Sequence, residues 1–251
     1  MPNYLLELSY DGRDFAGWQL QRQGERTVQG EVELALAELF EPGTRVTAAG
    51  RTDAGVHAVA MPASFESKVE RDDETVVRAL NATLPPDVKV RRCRHVPQSF
   101  SARFSAAARV YRYQLESREI FEPLSRLRWA RVGVAFDWSA VHNALAPVVG
   151  EHDFTSFRAA GCTATSPIRV MHRAELTELG DGRGVLEFEA NGFLRNMVRS
   201  LVGTLIEIGE GRRPAGDMAA LLEYPNRDEV GKTAPAHGLY FVTARYPELD
   251  E

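Results

Sequence analysis

The chain is poor in cysteine, in long apolar runs and in net positive charge, and each shortage excludes a class of protein. Cys93 and Cys162 are the only cysteines, 69 positions apart and outside any C-x-x-C pattern, so neither a disulfide framework nor a cysteine-rich zinc site is expected. His142, His152 and His172 have no metal-ligand spacing with one another, and no metal site is expected. No segment approaches the roughly 18 consecutive apolar residues of a membrane span. Met1-Pro2-Asn3-Tyr4 lacks the basic start of a secretory signal, and Glu7 interrupts the early apolar run. These absences predict a soluble protein of a reducing cytoplasm with no membrane contact. With 30 Lys+Arg against 35 Asp+Glu, the net charge of −5, taken as a total, argues against nucleic acid as a partner.

What is present is an ordinary globular composition, 44% hydrophobic and 26% charged over 251 residues, which excludes a disordered or collagenous chain. That length suits one large domain or two of roughly 100 to 130 residues. Tyr4 to Tyr10 reads as a strand ended by Asp11-Gly12. Val28, Val32, Ala35, Leu36, Leu39 and Phe40 recur at helical spacing after Thr27 and stop at Glu41-Pro42-Gly43. Strands follow at 45–49 and 58–65, then a helix over 72–84 with acidic residues in its first turn, then a strand over 88–96.

The second half repeats this β-α-β-β-α-β order. A strand over 110–116 leads to a helix over 138–145 capped by Asp137. A hairpin over 169–178 and 185–190 turns at Asp181-Gly182-Arg183-Gly184. Helices over 192–208 and 214–223 and a strand over 239–246 complete it. The repetition predicts an α+β fold of two ferredoxin-like halves, residues 1–105 and 106–251, each an antiparallel sheet with helices on one face and with a central cleft between them.

The most informative stretch is Gly50-Arg51-Thr52-Asp53-Ala54-Gly55-Val56-His57. Its flanking glycines permit a sharp turn and close approach of the backbone to a bound group, while three consecutive side chains offer a cation, a hydroxyl and a carboxylate. An arbitrary Arg-Thr-Asp triplet is ordinarily a polar turn in which the aspartate caps an amide. Here the specific run is long. G-R-T-D-A-G-V-H resembles the signature of the TruA family of tRNA pseudouridine synthases. Six further blocks resemble the family in its order: Tyr10-Asp11-Gly12 with Phe15 to Gln19, Thr27-Val28-Gln29, Phe100 to Ser105, Arg109 to Tyr113, Asp153 to Phe157, and Phe193 to Gly203.

The resemblance implies the pseudouridine synthase fold, a homodimer, no cofactor, and isomerisation of uridine to pseudouridine at positions 38 to 40 of the tRNA anticodon stem-loop. That reaction breaks the N1–C1′ bond, rotates the base and joins C5 to C1′. It needs a carboxylate beside C1′ as nucleophile or base, and Asp53 matches the family's essential aspartate. Whether it attacks C1′, attacks the base or generates a glycal stays open at this level. By the same resemblance Arg51 fills the space left by the extruded base, Tyr111 contacts the substrate, and Arg199 partners Asp53. From spacing alone Arg199 is equally an ordinary solvated arginine on a helix whose buried side is Met197, Val198, Leu201, Val202 and Leu205, with Gly192, Asn196, Arg199 and Gly203 on another stripe. Tyr113 and His57 read as structural.

Two rivals remain at the level of sequence. A non-catalytic RNA-binding protein also presents aromatics on ferredoxin-like sheets, but gains nothing from a carboxylate facing phosphates. An N-glycoside hydrolase would use Asp53 as nucleophile and His57 as acid, and would release free uracil. The charge total also conceals an asymmetry: Lys89 to Arg131 holds 11 basic and 3 acidic residues, a local +8. This predicts an RNA-facing region around Tyr111.

Overall fold

The computed structural model describes residues 1–21 and 24–249. Its elements fall into two compact units, one formed by Met1–Arg109 with the chain from Tyr240 onward, the other by Val110–Leu239.

The first unit begins with β1 (Asn3–Tyr10), α1 (Val28–Leu39), β2 (Thr47–Ala48), β3 (His57–Glu66), α2 (Asp73–Thr83) and β4 (Val88–Val96). β1 lies between β3 and β4 and is antiparallel to both, with Leu6 opposite Ala63 on one side and Cys93 on the other. Tyr4, Leu6 and Leu8 on this strand are fully buried, which is what a central strand under a helical layer requires. α1 starts where the Thr27 hydroxyl accepts the Gly30 amide at 3.2 Å, and α2 where Asp72 accepts the Thr75 amide at 2.9 Å. Each such cap contributes about 1 kcal/mol. β2 is shorter than the sequence predicts, because only Thr47 and Ala48 pair with β3 before the backbone turns away.

The second unit holds β5 (Ala108–Glu116), β6 (Ala130–Arg131), α3 (Trp138–Leu145), β7 (Gly150–Asp153), β8 (Ile168–Gly180), β9 (Arg183–Ala190), α4 (Met197–Gly209) and α5 (Asp217–Glu223). Its strands run β5-β9-β8-β7, with β6 beside β5. The β8–β9 hairpin turns at Asp181 (φ 55°) and Gly182 (φ 70°), the two-residue loop that its Asp-Gly dipeptide favours. Asp137 caps α3 as expected, accepting from the Ala140 amide at 2.9 Å. β6 and β7 escape sequence reading because they are too short and too polar to alternate.

The last strand, β10 (Leu239–Arg245), pairs with β3, Tyr240 opposite His57 and Phe241 opposite Ala58. Nearly all of its length therefore groups with the first unit, whereas the sequence division at 105/106 assigns it to the second half. The expected antiparallel sheets are also not purely so: β10 runs parallel to β3, and β6 parallel to β5. Among the described residues no helix is long and apolar enough to cross a membrane.

Candidate active site

The loop bearing Asp53 leaves the sheet at Ala48 and rejoins it at His57, the first residue of β3. Its anchoring is almost entirely backbone. Thr52 is buried, its hydroxyl 2.8 Å from the Tyr10 hydroxyl, and its carbonyl accepts the Trp18 amide at 2.9 Å. The Asp53 carbonyl accepts the Val56 amide at 3.1 Å, closing a turn over Ala54 and Gly55. Segment 11–19 packs against this turn through two glycines. A Cβ on Gly12 would stand 1.9 Å from the Val56 carbonyl oxygen, and one on Gly17, at φ 106°, would stand 2.7 Å from the Thr52 carbonyl oxygen. Nothing larger than glycine fits either place without moving the loop.

The supports extend outward. The Gln29 amide donates to the Trp18 carbonyl at 3.0 Å, and its side-chain oxygen accepts from the Leu20 amide and from Gln19. Arg109 donates from Nε to the Ala49 carbonyl at 3.2 Å and from Nη1 to the Ala106 carbonyl at 2.9 Å. Sequence reasoning missed Gly12, Gly17, Gln29 and Arg109 as loop supports. Their presence in the quoted blocks was the available signal, but a one-dimensional pattern does not reveal the through-space partner.

His57 is buried and its ring stacks on Tyr240 with centroids 4.7 Å apart. Its Nδ1 lies 3.1 Å from both the Gly12 amide and Asp11 Oδ1. Nδ1 accepts the Gly12 amide, and Asp11 is also held by Arg13, at 2.7 Å from Nη2. Burial works to raise the Asp11 carboxyl, but hydrogen bonds from the Arg13 side chain and amide bring it below the usual carboxylate value. His57 thus sits within the frame of the loop.

Asp53 itself is half-buried on this fixed turn, and Arg51 two residues earlier is exposed. One loop therefore presents a carboxylate and a cation, the carboxylate constrained and the cation free to extend. In the first unit an open depression of about 510 Å³, lined by residues including Glu41, Arg45, Ser64 and Lys68, contains neither of them.

Tyr111 and Arg199 lie in the second unit. Tyr111 on β5 is 8% exposed and meets Phe193 edge-on, centroids 4.9 Å apart. Tyr113, two residues on, is fully buried with its hydroxyl donating to the Pro235 carbonyl at 2.7 Å; burial pushes its pKa far up, and it is structural. Arg199 on α4 is half-buried, and its Nε donates to the Ala234 carbonyl at 2.8 Å while its own carbonyl accepts the Ala234 amide. It is not an ordinary solvated arginine.

Two expectations about this helix need correction. α4 starts at Met197, because Asn196 adopts the left-handed conformation at φ 61° and breaks the helix predicted from Gly192. Gly192 and Asn196 thus share no helical stripe with Arg199. Gly203 does flank Arg199, and what approaches it is the chain's own segment 231–234: a Cβ there would stand 1.8 Å from the Lys232 carbonyl oxygen. The predicted buried side, Met197, Val198, Leu201, Val202 and Leu205, is buried throughout.

The local excess of positive charge over Lys89 to Arg131 is smaller in space than in sequence. Arg91 pairs with Glu7 at 3.7 Å, Arg112 with Glu187 at 3.2 Å, and Arg118 with Asp181 at 3.0 Å and the fully buried Glu116 at 3.4 Å. Glu7, Glu187 and Asp181 reach these cations from parts of the chain outside the segment's own count, and Glu116 from within it.

A family model described as tRNA pseudouridine synthase matches residues 8–105 and 144–247. Three curated relatives carry the name tRNA pseudouridine synthase A. The one from Neisseria meningitidis serogroup B is 41% identical over 245 residues, 98% of this chain and 92% of the relative. That from Methylococcus capsulatus is 40% identical over 243 residues, 97% and 89%. That from a Geobacter species is 41% identical over 249 residues, 99% and 100%. Among solved structures, a Cbf5-Nop10-Gar1 complex is similar at 11% identity and a TM-score of 0.40, over 95% of this chain and 48% of that chain.

Proposed function

The chain belongs to the tRNA pseudouridine synthase family and isomerises uridine to pseudouridine in tRNA, and from that premise we propose that its targets are positions 38 to 40 of the anticodon stem-loop and that Asp53 is the carboxylate that acts at them. In this reading Arg51 enters the space left by the extruded base, Tyr111 lies against the flipped uracil, and Arg199 partners Asp53. The enzyme works as a homodimer in the cytoplasm and needs no cofactor.

The observation that carries the reading is the way the turn is built. A half-buried carboxylate sits on a turn whose backbone is clamped by two glycines that tolerate no side chain, as a positioned reacting group requires. The reaction balances within the substrate: N1–C1′ breaks, the base rotates, C5–C1′ forms, C5 loses a proton and N1 gains one. A carboxylate can serve as nucleophile or base in this sequence without redox partner or hydrolytic water. An arginine beside it on the same loop suits the flipped geometry, because a guanidinium both fills volume and offers donors to phosphate and base edges.

The test is incubation of the protein and its Asp53→Asn variant with unmodified tRNA transcripts, with pseudouridine mapped at nucleotide resolution. The parent should modify positions 38 to 40, and the variant should keep tRNA affinity within a few-fold and give no product. Substantial turnover by the variant would remove Asp53 from the chemistry, and modification of a T-loop uridine instead would overturn the assigned positions.

A further inference from the structure

The second unit contains a group of positive charges that no carboxylate among the described residues neutralises. Arg158 turns its guanidinium onto the carbonyls of Cys162 and Ala164, at 2.6 and 2.7 Å. Arg169, at the start of β8, lies across Gly192, its Nε 3.5 Å from where a Cβ would be. Arg195 reaches Gly161, its Nη1 3.7 Å from the corresponding point there, and Arg227 donates to the Arg158 carbonyl. Arg195 and Arg227 are exposed. Among the described residues none of these four guanidinia pairs with a carboxylate, whereas Arg112, Arg118, Arg173, Arg183 and Arg213 of the same unit all do.

The crowding has an electrostatic cost that is visible in the molecule. Burial draws the Arg169 pKa down and the neighbouring charge of Arg158 lowers it further, with only the Cys162 sulfur acting the other way. Four cations gathered without counter-charge are complementary to an external polyanion, and guanidinium forks match phosphate oxygens in pairs. The arrangement is open, spread from the loop after residue 157 to the residue just before the Asn196 break and on to residue 227. That suits a strand of successive phosphates better than a single enclosed ion.

We propose that Arg158, Arg169, Arg195 and Arg227 form a docking site for the phosphodiester backbone of the RNA substrate. The proposal rests on the reading of the chain as a tRNA-modifying enzyme, and it adds a binding surface that holds the RNA by its backbone without touching the base.

Arg195→Gln and Arg227→Gln test it, since both side chains are exposed and neither belongs to the proposed chemistry. Affinity for unmodified tRNA would be measured by filter binding across a salt series. Each variant should bind several-fold more weakly, and the slope of log K against log salt should fall by roughly 0.7 to 0.9 per lost phosphate contact. Turnover at saturating tRNA should be unchanged, and Arg195→Lys should recover most of the affinity. Unchanged affinity and slope in variants that melt with the parent would overturn the proposal. Displacement of tRNA from the parent by 10 mM-scale inorganic phosphate at fixed ionic strength (a deliberately high, order-of-magnitude probe) would also overturn it, in favour of a small-anion site.

A second measurement needs no substitution in the cluster. The Arg158 guanidinium bonds the Cys162 carbonyl, so bound tRNA should slow alkylation of Cys162 by iodoacetamide several-fold; equal rates with and without tRNA would count against the site. A parent that binds RNA at this cluster but makes no pseudouridine would refute the enzymatic reading and leave the docking site standing.

Discussion

The Trp18 amide donates to the Thr52 carbonyl at 2.9 Å, tying the residue just before Asp53 to a segment 34 positions away in the chain. Through this bond and the two glycine contacts beside it, the position of the carboxylate is set by the backbone, and it should respond to changes that never touch the carboxylate.

Gly17→Ala is expected to show this. The added methyl would stand 2.7 Å from the Thr52 carbonyl oxygen, at a backbone φ of 106° that costs a non-glycine residue about 1 to 3 kcal/mol. Relief requires the turn to move, and a shift of order 1 Å at a reacting group costs on the order of 10²-fold in rate. Single-turnover pseudouridine formation should fall by about that factor while tRNA affinity changes little. A variant with the parent's rate would show that the turn is not clamped.

Gly203→Ala makes a contrasting case in the second unit. In an exposed helix interior alanine is favoured over glycine by about 1 kcal/mol, but here its methyl would meet the Lys232 carbonyl oxygen at 1.8 Å. The segment bearing Ala234, and with it the Arg199 hydrogen bond, must shift. The substitution should destabilise the protein by about 2 kcal/mol or more in a denaturant titration. Gly216→Ala, where nothing lies within 4 Å, should be neutral or slightly stabilising. Equal effects at the two positions would refute the close approach at Gly203.

The pH dependence of stability should carry the signature of Asp11. Its folded pKa is depressed, so its contribution is present above the unfolded carboxylate value of about 4 and is lost as pH falls through the folded value. Asp11→Asn should therefore lower the melting temperature most near pH 7, and the gap from the parent should close toward pH 3. A gap that is constant between those pH values would show that the ionised carboxylate contributes nothing through Arg13.

The two cysteines should react at very different rates. Burial, reinforced by Asp73, pushes the Cys93 thiol up to about 12. Burial raises Cys162 as well, but the amides of Arg195 and Ala164 and the Arg158 guanidinium outweigh it and bring the thiol below its ordinary value. At neutral pH, limiting iodoacetamide should label Cys162 alone in the folded protein, read by mass spectrometry of the digest. Labelling of Cys93 at a comparable rate would mean that β4 is not held in the sheet.

The fold was legible in sequence wherever a local signal and a tertiary need coincide. Asp137 caps the helix it was expected to cap, because capping is decided within four residues, and Thr27 and Asp72 cap theirs by the same local geometry. The start of α4 was missed because Gly192 to Asn196 continues a helical spacing while Asn196 takes a conformation that only its surroundings select. The loop with Arg51 and Asp53 announced itself through its unusual run of residue types. Its supports did not, since Gly12 and Gln29 matter through partners that no spacing rule connects to them. Charge is likewise redistributed by the fold: Arg91, Arg112 and Arg118 meet carboxylates from distant positions in the chain, while Arg158, Arg169, Arg195 and Arg227, scattered in sequence, gather.

The pairing of β10 with β3 also sets a timetable for synthesis. By Arg109 the ribosome has released every strand of the first unit except the one that carries Tyr240. About 130 further residues must be translated before that ring can cover His57, roughly ten seconds at typical elongation rates. Until then the frame behind the Asp53 turn lacks one wall, and the nascent chain holds an unfinished site that is completed only when Tyr240 and Phe241 pair with β3.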